Sequence, residues 1–203
     1  MDEIPDYEPS YETSIAGIAE SSNKSVMEVM YEELIKNEGK TFVWAPFSPY
    51  PDHNLDTYKM MMEFESSVAG LSDGGAHCGL ICDASMPTWN VAHYTRDRVK
   101  GDKIPLEFLV RKQTKETAET FGLMDRGQIK EGYMADINII DHDNLCVYKP
   151  EMVHDLPTGS RRIIQKAGGY IATIKSGVVT FKNDEATGEL PGTLIRGEQT
   201  AAA

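Results

Sequence analysis

A chain of 203 residues with 40% hydrophobic side chains can bury one substantial core or two small ones. Its 32 acidic residues against 20 basic ones give a net charge of −12, which argues against nucleic acid or an anionic membrane surface as a partner. No window approaches the roughly 18–20 apolar residues of a membrane span, the MDEIPDYEP start lacks the regions of a signal peptide, and Cys78, Cys82 and Cys146 do not have the spacing of a disulfide framework. A cytoplasmic setting with reduced thiols is the expectation.

Apolar residues recur at helical spacing in Ser14–Ala19 and again in Val26–Ile35. Ser25 reads as the N-cap of the second run, and Glu28 three positions on completes a capping box. Thr41–Ala45, β-branched and aromatic and stopped by Pro46, reads as a buried strand. A loop rich in proline and aromatics leads to Asn54, a cap for a helix over about 55–64, after which Ser67–Leu71 reads as the next strand. Strand, loop, helix and strand in that order is the grammar of a parallel sheet. Met86–Pro87 opens a helix through Tyr94, a second helix covers Pro105–Arg111, and Lys112–Phe121 is a third with Gly122 as its C-cap.

Beyond Gly122 the pattern becomes alternating. Tyr133–Ile140, Arg162–Ile164, Tyr170–Ile174 and Val178–Phe181 read as short strands, with Lys175–Ser176–Gly177 a hairpin turn. A boundary near residue 122 therefore separates α/β material, 1–122, from β-rich material, 123–203, which ends in a frayed tail.

The stretch SSVAGLSDGGAHCG, residues 66–79, places Ser72 and Asp73 where an apolar run ends in a sharp turn. A carboxylate at the carboxyl end of a strand is placed for chemistry; an Asp-Gly-Gly sequence is also an ordinary turn, and both readings are open at this level. Gly74 and Gly75 let the backbone approach closely and leave room for a substrate. His77 is either a substrate-facing group or a surface hydrogen-bonder. His53 and Asp52 follow the first strand and either line the same mouth or belong to a solvated loop. His93 and Arg96 read as structural or rim residues, and Trp89, Met60, Met61 and Met62 as core. Cys78 and Cys82 read as small buried hydrophobes; with His77 they lack the second ligand pair of a zinc knuckle.

LSDGGAHCG, RKQTKETAETFGLMDRGQIKEGYMADINIID and VHDLPTGSRRIIQKAGGYIATIKSGVVTFKNDEATGELPGTLIRG, taken together, resemble the carboxyl-terminal part of the D-aminoacylase-like (N-acyl-D-amino-acid deacylase) branch of the amidohydrolase superfamily. The resemblance implies the last part of a metal-dependent (β/α)8 barrel followed by part of a β-sandwich that such enzymes assemble from segments on both sides of the barrel in sequence. It further implies that Asp73 ligates or faces a divalent metal, zinc in the first instance. Hydrolysis of a small-molecule amide, an N-acyl-D-amino acid, would then proceed with Asp73 taking a proton from metal-bound water and delivering it to the leaving nitrogen. Ser72, Gly74, Gly75 and His77 would contact the substrate.

The departure from that family is large. His53, His77, His93, His142 and His154 are each isolated in sequence, with no His-x-His, and about two strands precede the β-rich part where a barrel needs eight. The expectation is the carboxyl-terminal portion of a longer enzyme, lacking its amino-terminal part and inactive alone. A split hydrolase, a noncatalytic binding or dimerisation scaffold, and a homo-oligomer stay open as alternatives.

Overall fold

Serine side chains start the first two helices of the computed structural model, which describes residues 1–46, 50, 52–70 and 77–200. After a short 3-10 turn, α1 (Ile15–Ser22) begins at Ser14, whose hydroxyl accepts from the Gly17 N–H. In α2 (Val26–Gly39) the Ser25 hydroxyl accepts from the Glu28 N–H while the Glu28 carboxylate accepts from the Ser25 N–H, the reciprocal box anticipated from sequence. The last turn of α2 breaks at Lys36, Asn37 and Glu38. Val29 buries the inner side of α2, whereas Met27, Tyr31, Leu34 and Ile35 face solvent.

α3 (Asp56–Glu63) is entered through Asn54, whose side-chain oxygen accepts from the Asp56 N–H. Its buried side is Leu55, Tyr58 and Met62, at i, i+3 and i+7. That spacing turns Met60 and Met61 outward, so these two are exposed and only Met62 packs on the core. α4 (Met86–Ala92) runs into a single π turn, His93–Asp97. α5 (Leu106–Arg111) continues through a second π turn, Lys112–Glu116, into α6 (Thr117–Thr120), so the second and third expected helices of this region form one uninterrupted element closed by Gly122 at φ +70°.

Neither expected parallel strand forms among the described residues. Residues 41–46 are irregular with no ladder partner, and so are 67–70; Leu71 lies outside the described residues. A strand needs a neighbour to satisfy its N–H and C=O groups. Here the approach to residue 71 is held by helices instead: the Thr117 hydroxyl donates to the Ala69 carbonyl at 2.6 Å, and Lys112, itself buried, donates to the Phe64 carbonyl at 3.1 Å. No barrel is formed by the described residues.

The β-rich part is antiparallel throughout its ladders. β1 (Ile137–Ile140), β6 (Tyr170–Lys175), β7 (Val178–Lys182) and β8 (Glu185–Ala186) form one sheet in the order β1-β6-β7-β8. β2 (Cys146–Val147) pairs β5 (Ala167–Gly168), and β3 (Glu151–Val153) pairs β4 (Arg162–Ile164). The turn joining β6 to β7 has Ser176 and Gly177 both left-handed, as a two-residue hairpin requires. Residues 133–136, expected as strand, serve this turn instead: Asp136 accepts from the Ser176 N–H at 2.9 Å and from Lys175 at 3.0 Å.

The core gathers Leu55, Val91, Tyr94, Ile104 and Leu109 from the helical part and Leu145 from the β-rich part. An arm of residues 3–9 crosses the seam between the two. The Lys149 N–H donates to the Glu3 carbonyl, Gln165 donates to the Tyr7 hydroxyl at 2.8 Å, and the Tyr50 hydroxyl donates to the Pro9 carbonyl at 3.0 Å. No helix among the described residues is long and apolar enough to cross a membrane.

Candidate active site

Four of the expected site residues, Ser72, Asp73, Gly74 and Gly75, lie outside the described residues. The segments on either side are described and both are anchored. Gly70 follows the Ala69 carbonyl held by Thr117. On the far side His77 starts a turn whose carbonyl accepts from the Leu80 and Ile81 N–H groups at 2.8 and 3.0 Å, and the next carbonyl, that of Cys78, accepts from the Ile163 N–H of β4 at 2.6 Å. The two described flanks are thus tied to different parts of the chain, Ala69 to the helices and Cys78 to β4.

His77 is exposed, with φ +51°. Cys78 and Cys82 are free thiols and only half-buried, which corrects the expectation of buried hydrophobes: the turn after His77 lies on the β3–β4 hairpin at a surface and not within the core. Burial, with the neighbouring Asp83 carboxylate, pushes the Cys82 thiol up to about 11. His53 sits between the rings of Tyr11 and Tyr50, with centroid distances of 5.3 and 5.7 Å, and its carbonyl accepts from Lys100. No three His, Cys, Asp or Glu side chains among the described residues are arranged to hold a metal ion, so these residues do not assemble the site that zinc would need.

The structure brings together a different set of charges that local sequence patterns did not single out. Glu8, on the crossing arm, is 3% exposed and Arg98 is 2% exposed. The two Glu8 oxygens take Arg98 Nη2 at 3.0 Å and Nε at 3.2 Å, a two-point pairing. Glu8 also accepts from the Leu55 N–H at 2.6 Å and shares a 2.7 Å hydrogen bond with His93 Nε2. Arg98 then reaches the exposed Asp56 carboxylate at 2.7 Å and the Asp102 carbonyl at 3.0 Å. His93 stacks on Trp89, ring centroids 4.3 Å apart.

Burial alone would raise the Glu8 carboxyl, but the hydrogen bonds from Arg98, Leu55 and His93 outweigh it and hold the group below its ordinary value. His93 is lowered by burial, against the opposing pull of Glu8. An ionised carboxylate can only accept, so a neutral His93 carries its proton on Nε2. The π turn makes this possible. Five positions along an α-helix point about 140° apart, whereas the wide turn closed by the Arg98 N–H on the His93 carbonyl at 2.8 Å lets both side chains meet one carboxylate. The sequence signal for this cluster is faint, since Glu8 stands 90 positions from Arg98.

A sequence model of the amidohydrolase family matches residues 42–181, more than half of the chain and a span that includes Ser72 to His77. Among curated proteins, the D-aminoacylase of Alcaligenes xylosoxydans xylosoxydans is 32% identical over 105 residues, a match covering 52% of this chain and 19% of that relative. The match therefore takes in about a fifth of that protein's length. No solved structure gives a significant match.

Proposed function

Because the chain belongs to the amidohydrolase family, we propose that it is the portion of an amide-bond hydrolase that carries the proton-transferring carboxylate, Asp73. The boundary near residue 122 would separate its last barrel elements from its share of the sandwich. What supports the reading is that the family match, residues 42–181, spans the SDGGAH stretch. The likeness to a D-aminoacylase supports N-acyl-D-amino acids as the substrate class.

In this reading Asp73 accepts a proton as water attacks the amide carbonyl and returns it to the nitrogen as the C–N bond breaks, so one carboxylate serves both half-steps. Ser72, Gly74, Gly75 and His77 border the substrate. The remainder of the fold, supplied by further polypeptide, closes the cavity, and activity belongs to that complete assembly in place of this chain by itself. Zinc is the ion the family resemblance suggests; no step is assigned to it, because the described residues provide no centre for it.

The test is amine release from N-acetyl-D- and N-acetyl-L-amino acids by the complete assembly, with and without Asp73→Asn. General acid–base contributions run to about 100- to 10,000-fold, and a loss in that range with unchanged circular dichroism is expected. Near-parental turnover in the variant overturns the role of Asp73, and absence of amide cleavage in the parent overturns the activity.

A further inference from the structure

α2 turns its apolar half away from the rest of the chain. Val26, Met27, Met30, Tyr31, Leu34 and Ile35 recur as pairs every fourth residue. At about 100° per residue they cover one continuous half of the helix, and Glu28, Val29, Glu32 and Glu33 fall on the other. Of that second set only Val29 is buried. Met30 is half-buried and the other five apolar side chains are exposed, Met27 at 75% and Tyr31 at 66%. A helix lying on a core turns its apolar stripe inward, and a soluble monomer rarely shows a contiguous apolar patch above a few hundred Å².

The arc has the symmetry of its own partner. Val26 and Ile35, Met27 and Leu34, and Met30 and Tyr31 stand at equal distances from the middle of the run, so reversing the helix returns the same apolar pattern. A two-fold interface needs this, because each residue meets on the partner the residue that meets its own copy. The charges at the border permit the approach. Glu32 is paired with Lys24 at 2.6 Å, Glu33 with Lys36 at 2.5 Å, and Glu28 is held in the box with Ser25, so the acids beside the arc are matched within the chain. α1 packs against α2 and keeps Ile15 and Ile18 half-buried, so two copies would bring four helices together.

We propose that the apolar arc of α2 is a dimerisation surface, covered by the same helix of a second copy of this chain lying antiparallel about a two-fold axis between Met30 and Tyr31. Met27 then meets the partner's Leu34, and Val26 the partner's Ile35. This pairing is independent of the hydrolase reading. An arc about 15 Å long falls toward the small end for stable pairs, which take about 800 Å² from each partner, so the dimer dissociates on dilution.

Sedimentation equilibrium of the full chain over a wide range of concentration tests the pairing. The average mass is expected to climb from one chain toward two and to stop there. Met27→Lys and Leu34→Glu, both at exposed positions, are each expected to remain at one chain, with the circular dichroism of the dilute parent. Mixed in equal amounts they are expected to recover the dimer, because position 27 of one copy faces position 34 of the other. Tyr31→Glu, beside the two-fold axis, is expected to be monomeric as well and stands in for a variant whose spectrum departs from the parent's. A parent that stays at one chain at every concentration overturns the proposal, whether the arc is bare or taken by a different protein. A parent dimer that these variants leave intact overturns it too, as does an equimolar mixture that stays monomeric.

Discussion

Removing Arg98 should be strongly damaging to the helical part, and more damaging than neutralising its partner. Arg98→Met strips two hydrogen bonds from a carboxylate that is 3% exposed and leaves only the Leu55 N–H and His93 to hold its charge. Breaking a buried ion pair from one side costs about 3–5 kcal/mol, chiefly because the other charge stays buried. Glu8→Gln is milder: Arg98 keeps the solvent-facing Asp56 carboxylate and the Asp102 carbonyl, so the loss is about 1–3 kcal/mol, that of hydrogen bonds to a charged group. Urea unfolding reads both, with Trp89 as the reporter because its ring lies on His93. At a slope of about 2 kcal/mol per molar, a cost near 4 kcal/mol lowers the midpoint by about 2 M for Arg98→Met. The double variant should lie well short of the sum, since the second change removes the charge that the first one stranded. An Arg98→Met midpoint within about 0.5 M of the parent, or a smaller shift than that of Glu8→Gln, would refute the claim that the pair is desolvated.

The same cluster sets an acid limit. His93 has its folded value below the ordinary 6.5, so the unfolded chain binds the proton first, and the stability it contributes is full above that value and declines as pH falls below it. Glu8, also lowered, adds a second loss that begins below its ordinary 4.5. Thermal melts from pH 8 to pH 3 should show both declines, and Glu8→Gln should lessen the lower one, to which Asp136 and other lowered carboxylates also contribute; a midpoint that rises on acidification contradicts both assignments. Gly169→Ala should destabilise by more than 1 kcal/mol or so, because its φ is +98° and a Cβ there would come within 2.7 Å of the Leu145 Cα, which a urea midpoint checks. Ser25→Ala should cost about 1 kcal/mol, seen as a lowered midpoint, through loss of the box with Glu28.

What could be read from sequence was what neighbouring residues decide among themselves. The Ser25 and Glu28 box, the Asn54 entry to α3, the Gly122 stop and the Ser176–Gly177 hairpin each depend on fewer than six consecutive positions, and each stands where the spacing put it. Thr41–Ala45 and the described residues 67–70 depart from the expected strands for the opposite reason. A β-branched run has strand propensity, but a strand exists only when another lies beside it, and none is offered to these segments by the described residues. Met60 and Met61 were assigned by residue type, which cannot say which arc of α3 turns inward. The Glu8 cluster was hidden by distance along the chain and by an i→i+5 turn that helical periodicity does not anticipate.

The arm through Glu8 also bears on the candidate site, although none of its residues is a donor there. Glu3 is tied to Lys149, Tyr7 to Gln165, and Glu8 to His93 and Arg98 at the π turn after α4 and to Leu55 at the entry to α3, so one short segment spans from the β-rich part to the helical part. Gln165 directly follows β4, whose Ile163 N–H holds the Cys78 carbonyl at the exit of the Asp73 stretch, while Lys112 and Thr117 hold its approach from the helical side. The two ends of that stretch are therefore fixed to two different parts of the chain, and the arm limits how far those parts can separate. Stability of the Glu8–Arg98 pair and the holding of the two described flanks, Ala69 and Cys78, are on this account linked properties. On the hydrolase reading proposed above, a change at Arg98 should lower turnover in proportion to the fraction of chain in which the arm has come away, and an Arg98→Met variant with parental turnover at a temperature where half its chains have lost the pair would refute the link.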